Sequence, residues 1–254
     1  MSVTVRVAHG SDAGRVRPLN EDYHRVSRFV RDDGALWLLA VADGMGGAAA
    51  GEVASKIAVE AVDETVRRYV RERSEGRDLV GLEPLLEKAI RLANRRVHAA
   101  ALQNQAARGM GTTLTCVAFE DCVLHVGHVG DSRAYLCRGP TIYQLTRDHS
   151  WVEEQLRLGV LSEEEARTHE WRNLITRALG TRPQLAPDTA RVDLKPGDVL
   201  LLATDGLHAV VEAEEILAEV GRGPDLQASV DGLIALANER GGPDNVTLVL
   251  AEVS

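Results

Sequence analysis

Residues 35–42, ALWLLAVA, form a short unbroken apolar run bounded by Gly34 and by Asp43-Gly44. Such a run predicts a strand buried on both faces. From about 50 to 73 the spacing becomes helical, with Val53, Ile57, Val62, Val66 and Val70 expected on one face. A second helix is predicted from Pro84, a good first-turn residue, through Leu86, Ala89, Ile90, Ala93, Val97 and Ala100, and RGMG at 108–111 stops it. Strand patterns follow at 112–119, 122–129, 133–137 and 141–145, the last two separated by the turn residues Arg138-Gly139-Pro140. Short loops between them predict antiparallel pairing, because a parallel pair needs a long crossover. Ser150-x-x-Glu153 and Ser162-x-x-Glu165 mark two helix starts. A strand at 189–194, a turn at 195–198, a strand at 199–204, helices near 213–220 and 225–239, and a strand at 246–253 complete the pattern. Helices and antiparallel strands in separate blocks predict an α+β fold with helix-covered sheets.

The chain has 254 residues and no low-complexity linker or internal repeat, so residues 1–254 are expected to form a single domain. Lys and Arg number 29 against 38 Asp and Glu, a formal charge of −9, which argues against a nucleic-acid partner. The longest apolar runs, 36–42 and 199–203, fall far short of the ~20 residues that span a bilayer, and the N-terminal MSVTVRVAHGSD is too polar for a signal peptide. Cys116, Cys122 and Cys137 form no C-x-x-C pair and all fall in strand-like segments, as expected of buried free thiols in a reducing compartment. A soluble cytoplasmic protein without membrane contact is expected.

Carboxylates at strand ends carry the chemical signal. Asp43-Gly44 follows LWLLAVA, Asp205-Gly206 follows VLLLAT, Asp131 follows LHVGHVG, and Asp244-Asn245 precedes VTLVL. Asp-Gly and Asp-Asn are common turn residues, but a helix, not a partner strand, is predicted after Asp43-Gly44 and after Asp205-Gly206. Carboxylates that converge at a sheet edge repel one another unless cations lie between them, and hard oxygen donors suit Mg²⁺ or Mn²⁺. Histidine offers no zinc alternative: His125 and His128 fall on opposite faces of one strand, and the remaining six make no H-x-x-x-H pair. The stretch RRYVRERSEGR at 67–77 reads as a solvated helix face. GMGGAA at 44–49 fits the G-x-G-x-x-A dinucleotide pattern, but Asp43 would oppose a pyrophosphate and no acidic strand end follows about twenty residues later.

Eight segments in order resemble the metal-dependent serine/threonine protein phosphatases of the PPM or type 2C family, and most closely its compact bacterial members. They are SDAGRVRPLNED (11–22), VADGMGG (41–47), GMGTTL (109–114), HVGDSRAYL (128–136), LTRDHSW (145–151), NLITRALG (173–180), LLLATDGL (200–207) and GGPDNVTLV (241–249). The resemblance implies a four-layer α-β-β-α sandwich of two antiparallel sheets flanked by helices, with a dinuclear metal centre at one end. By motif match, Asp43 bridges two Mn²⁺ or Mg²⁺ ions, Gly44 gives one its carbonyl, and Asp205 and Asp244 complete the other's ligands. Glu21 and Asp22 act through water, Asp131 with Asp205 binds a looser third ion, and Arg17 grips the substrate phosphate.

A water shared by two cations is acidified toward neutrality and supplies a nucleophile for in-line attack on phosphorus. Arg17 offers planar paired donors to the phosphate, and no Cys or Ser nucleophile is needed. Met45 stands where the eukaryotic pattern has His, which removes a suggested general acid, and His149 is a second, mainly structural, candidate. Thr204 replaces the more usual Ser. Residues 151–173 correspond to a flap, and the chain is expected to lack the anchor or sensor domain of some relatives. The implied substrates are phosphorylated proteins, among them a serine/threonine kinase, and a monomer is expected. A catalytically silent regulator is the alternative, and the filled ligand positions count against it.

Overall fold

The apolar run at 35–42 is strand β3 (Gly34–Ala42), and its two faces enter different cores. Leu39 and Val41 pack between two sheets, whereas Leu38, Ala40 and Ala42 pack under helices. Burial on both sides removes the usual polar alternation. The computed structural model describes residues 4–31, 34–46, 50–103 and 107–254.

One sheet has the order β1-β12-β11-β8-β9, built from β1 (Val5–Asp12), β12 (Val246–Val253), β11 (Val199–Ala203), β8 (Arg133–Arg138) and β9 (Thr141–Gln144). The other has the order β10-β7-β6-β3-β2, with β10 (Asp188–Asp193), β7 (Val123–Val129), β6 (Leu114–Glu120) and β2 (Tyr23–Arg31). Every neighbouring pair is antiparallel. Helices α1 (Ala50–Ser74) and α2 (Leu82–Gln103) cover the second sheet. Helices α5 (Asp205–His208), α6 (Ala213–Val220) and α7 (Leu226–Glu239) cover the first. The layers are therefore α-β-β-α, with three apolar cores between them. In α2, Leu86, Ala89, Ile90, Ala93 and Val97 are wholly buried, and truncating Ile90 to Ala would cost roughly 2–5 kcal/mol.

Four features depart from the sequence expectation. Strands β1 and β2, which the apolar pattern does not reveal, lie at sheet edges where only Ala8, Ser27 and Phe29 among their residues are buried. A two-residue strand β4 (Gly44–Met45) follows Asp43 and pairs with β5 (Gly111–Thr112), so the chain does not pass directly from Asp43 into a helix. Val53 is 48% exposed and Ile57 only partly buried, while Val62, Val66 and Val70 are buried as expected and Ala54 and Ala58 extend their stripe. Cys122 occupies the β6–β7 turn and is only half-buried, although all three cysteines are free. Between β9 and β10 lie α3 (Trp151–Arg157), capped by Ser150, and α4 (Glu163–Thr168), where Ser162 and Glu165 form a reciprocal capping box. Among the described residues no helix is long and apolar enough to cross a membrane.

The strand registers bring the acidic turns together. Tyr23 pairs with Ala42, Leu114 with Val129, Ala203 with both Arg133 and Leu248, and Asp12 with Val246. Residues 22, 43, 131, 205 and 244 thus all fall at one end of the sandwich.

Candidate metal centre

Asp43 is fixed through its backbone. Its N–H donates to Thr113 Oγ1 at 2.9 Å, and its carbonyl accepts from Thr113 N at 2.9 Å and Thr112 Oγ1 at 2.8 Å. Gly44 is required by contact. A Cβ there would stand 2.2 Å from the Gly51 carbonyl oxygen and 2.5 Å from that of Glu21. Glu21 in turn accepts from the Gly51 N–H at 3.1 Å through Oε1 and from Ser55 Oγ at 2.7 Å through its carbonyl. The first turn of α1 is thereby locked against the segment entering β2. Asp22 is buried, with Oδ2 accepting from Thr204 Oγ1 at 2.8 Å.

The carboxylates share one low-dielectric space. Asp43 and Asp205 lie close enough that the charge of Asp205 opposes ionisation of Asp43. Burial first, then the charges of Asp205, Asp22 and Asp131, pushes Asp43 well above the usual carboxylate range. Burial followed by neighbouring carboxylates also raises Asp205 to about 6 and Asp131 to about 8, and Asp22, with Asp205 and Asp244 nearby, to about 7. Asp22 Oδ1, Asp131 Oδ1 and Asp205 Oδ1 are buried without any hydrogen-bond partner. Buried polar atoms seldom go unpaired, because desolvation is then uncompensated. Arg17 lies at the exposed rim, its Nη2 donating to Asp244 Oδ2 at 2.7 Å, and this pairing raises its pKa further. Among the described residues no three His, Cys, Asp or Glu side chains close around a single point. Asp244 is instead turned to Arg17.

Comparison with known proteins agrees with this geometry. The sequence profile of the protein phosphatase 2C family matches residues 10–247. This chain belongs to the protein phosphatase 2C family. It is 36% identical over 245 residues to the protein phosphatase PhpP of Streptococcus pneumoniae, covering 96% of each chain. To the serine/threonine protein phosphatase PstP of Mycobacterium tuberculosis it is 39% identical over 253 residues, spanning 100% of this chain and 46% of that protein. A solved structure of the PstP catalytic domain in complex with two manganese ions superposes with a TM-score of 0.82, at 37% identity and 99% coverage of both chains.

In this member of the phosphatase 2C family, other sequence candidates resolve clearly. His149 is structural: its buried ring accepts from the Gly130 N–H through Nδ1 at 3.1 Å, while Nε2 stands 3.2 Å from Asp188 Oδ2. His125 and His128 do face opposite sides of β7, His128 being buried against Thr115. The dinucleotide pattern fails on topology, because both main sheets are antiparallel and β4 follows Asp43; its Gly47, Ala48 and Ala49 lie outside the described residues. Residues that the motif analysis did not single out support the centre. Thr113 Oγ1 and Ser132 Oγ are 2.6 Å apart beneath Asp43 and Asp131. Asn245 binds three backbone groups around Arg17. Their signal was adjacency to the acidic motifs rather than any pattern of their own.

Proposed function

We propose that this chain is a metal-dependent phosphatase that removes phosphate from phosphoserine and phosphothreonine in proteins. The observation that carries the reading is the gathering of buried carboxylates, three with an oxygen lacking any partner, beside one exposed arginine. That donor set fits hard divalent cations such as Mn²⁺ or Mg²⁺. Asp43 and the Gly44 carbonyl would hold one ion, with Asp43 bridging to a second held by Asp205 and Asp244. Glu21 and Asp22 would act through water, and Asp131 with Asp205 would take a third. Cations bound there supply Lewis acidity, which acidifies water and neutralises the phosphate dianion.

The chain's own groups set the remaining chemistry. Arg17 presents a planar guanidinium at the rim, suited to paired phosphate oxygens. Its contact with Asp244 holds it beside the carboxylates while it waits for substrate. Thr204 and the buried pocket hold Asp22 in place from behind. The buried thiols take no nucleophilic part, since burial pushes Cys116 to about 12 and Cys137 to about 11. His149 is buried, with Nδ1 accepting from the Gly130 N–H and Nε2 facing Asp188, and we assign it a structural role rather than that of proton donor.

The proposal extends to a single domain over 1–254, with 151–173 as a flap. Its ends meet where Trp151 N–H donates to the Leu174 carbonyl at 2.8 Å. We take the protein as a cytoplasmic monomer whose substrates include a serine/threonine kinase; the free cysteines suit a reducing compartment. The test is hydrolysis of p-nitrophenyl phosphate and of a phosphothreonine peptide. Activity that requires Mn²⁺ or Mg²⁺ and stops with EDTA is expected, and an inert protein with both metals would overturn the reading.

A further inference from the structure

Residues 13–22 cross from β1 in one sheet to β2 in the other and carry Arg17 midway. They belong to no strand ladder, so their backbone groups need other partners. Three of them go to one side chain. Asn245 Nδ2 donates to the Ala13 and Leu19 carbonyls, each at 2.9 Å, and Asn245 Oδ1 accepts from the Glu21 N–H at 2.8 Å. The contacts bracket Arg17 on both sides. Two carbonyls and one amide together require a group with two donors and an acceptor, which Asn offers and Asp does not.

Asn245 is itself immobilised. It is 5% exposed, and its backbone N–H donates to Asp244 Oδ1 at 2.9 Å, leaving Oδ2 for Arg17. Its carbonyl oxygen lies so close to Gly206 that a Cβ there would approach to 2.0 Å. Gly14, at φ +76°, lets the loop pass within 2.3 Å of the Asp244 carbonyl, measured from an added Cβ. One residue thus ties the arginine loop, Asp244 and the turn after Asp205 into a single unit.

We propose that Asn245 is the positioning residue for Arg17, setting how the guanidinium meets a phosphate. The inference rests on the phosphatase reading and adds to it a residue that touches neither substrate nor metal. Freed from the tie, the 13–21 loop would hold the same arginine in many poses. Phosphate binding would suffer more than the chemical step.

The test compares wild type, Asn245→Ala, Asn245→Asp, Arg17→Ala and the Arg17→Ala/Asn245→Ala double variant. With Mn²⁺ and a phosphothreonine peptide, Asn245→Ala should raise KM, and the inhibition constant of inorganic phosphate, about tenfold while kcat changes far less. Asn245→Asp, which loses both donors at constant shape, should behave alike. In the Arg17→Ala background the Asn245 effect should vanish, since coupled residues are not additive. Hydrogen exchange should speed up at 13–21 and stay unchanged in β11. Should Asn245→Ala lose its circular dichroism, Asn245→Ser, which keeps a hydroxyl donor and acceptor, carries the same comparison. A fall in kcat at unchanged KM, or an undiminished effect without Arg17, would overturn the proposal. An inert wild type would retract the phosphatase reading instead, and exchange at 13–21 would still decide whether Asn245 ties the loop.

Discussion

Charging the acidic cluster without a cation opposes folding, and the cost can be read from pH. Against an ordinary 3.8, Asp22 is held at about 7 and Asp131 at about 8, with Asp43 also well above the usual range. Between 3.8 and these values the unfolded chain releases protons that the native chain keeps. Stability then falls by about 1.4 kcal/mol per pH unit for each retained proton. Histidine works in the opposite sense at lower pH. His128 and His208 are pushed down to about 3 by burial, so from there to about 6.5 it is the unfolded chain that binds their extra protons, and rising pH helps folding. The informative window therefore lies above 6.5, where the histidine contribution is at most about half of one proton each and fades by about pH 7.5, while Asp131 still keeps its proton. One retained proton across pH 6.5–8 costs about 2 kcal/mol, or roughly 4–8 °C in Tm for a chain of this size.

The assay is calorimetry of EDTA-treated protein at pH 6.5, 7, 7.5 and 8. Tm should fall across the series. Saturating Mn²⁺ should raise Tm at pH 8, adding about 2.7 kcal/mol of stability at a hundred times Kd, and should abolish the decline because charged carboxylates are then the favoured state. Asp131→Asn should flatten the metal-free slope. A metal-free Tm that is constant or rises from pH 6.5 to 8 would refute the repulsion on which the candidate centre rests.

Three further perturbations address single positions. Asp43→Asn should abolish Mn²⁺-dependent hydrolysis with circular dichroism unchanged; full turnover by the folded variant would remove Asp43 from the site. Arg17→Ala should raise KM for a phosphopeptide roughly tenfold to a hundredfold, the worth of hydrogen bonds to a charged group, and an unchanged KM would count against its role. Gly44→Ala forces a methyl against the Gly51 and Glu21 carbonyls, so thermal melts should register a loss of about 1–3 kcal/mol and hydrolysis should drop with it; a wild-type melt would mean that the close contact relaxes freely.

Legibility of the fold in the sequence follows burial. β3, β6, β11 and β12 are covered on both faces and read as apolar runs, and α2 shows its stripe because one face is wholly buried. β1 and β2 hide because edge strands alternate with polar residues that solvent tolerates, such as His24, Arg25 and Arg28 in β2. β4 and β5 contribute two residues each, too few for any period. The acidic turns were visible one by one, since each ends or begins an apolar strand, but spacing alone could not place them in one space. Motif resemblance named the set, whereas their juxtaposition depends on strand register. Asn245 is illegible in the sequence for a different reason. Its role lies in hydrogen bonds to residues more than two hundred positions away, and Asn before a strand is an ordinary turn residue.

Long-range origin also explains why the cluster can exist despite its mutual repulsion. Asp22 and Asp43 flank the β2–β3 pair, Asp131 joins β7 in one sheet to β8 in the other, and Asp205 and Asp244 flank the β11–β12 pair. No segment holds two of them except across a strand pairing, so separating them would require the ladders or the inter-sheet core to give way. Leu39, Val41, Val117, Leu200, Leu202 and Val249 fill that core without exposure, and each buried side chain of this kind contributes about 1.5–3 kcal/mol. Packing of the two sheets therefore outweighs a repulsion worth a few kcal/mol per retained charge, and it keeps oxygen donors together that would otherwise disperse. The liability in stability and the capacity to hold cations are consequences of the same arrangement.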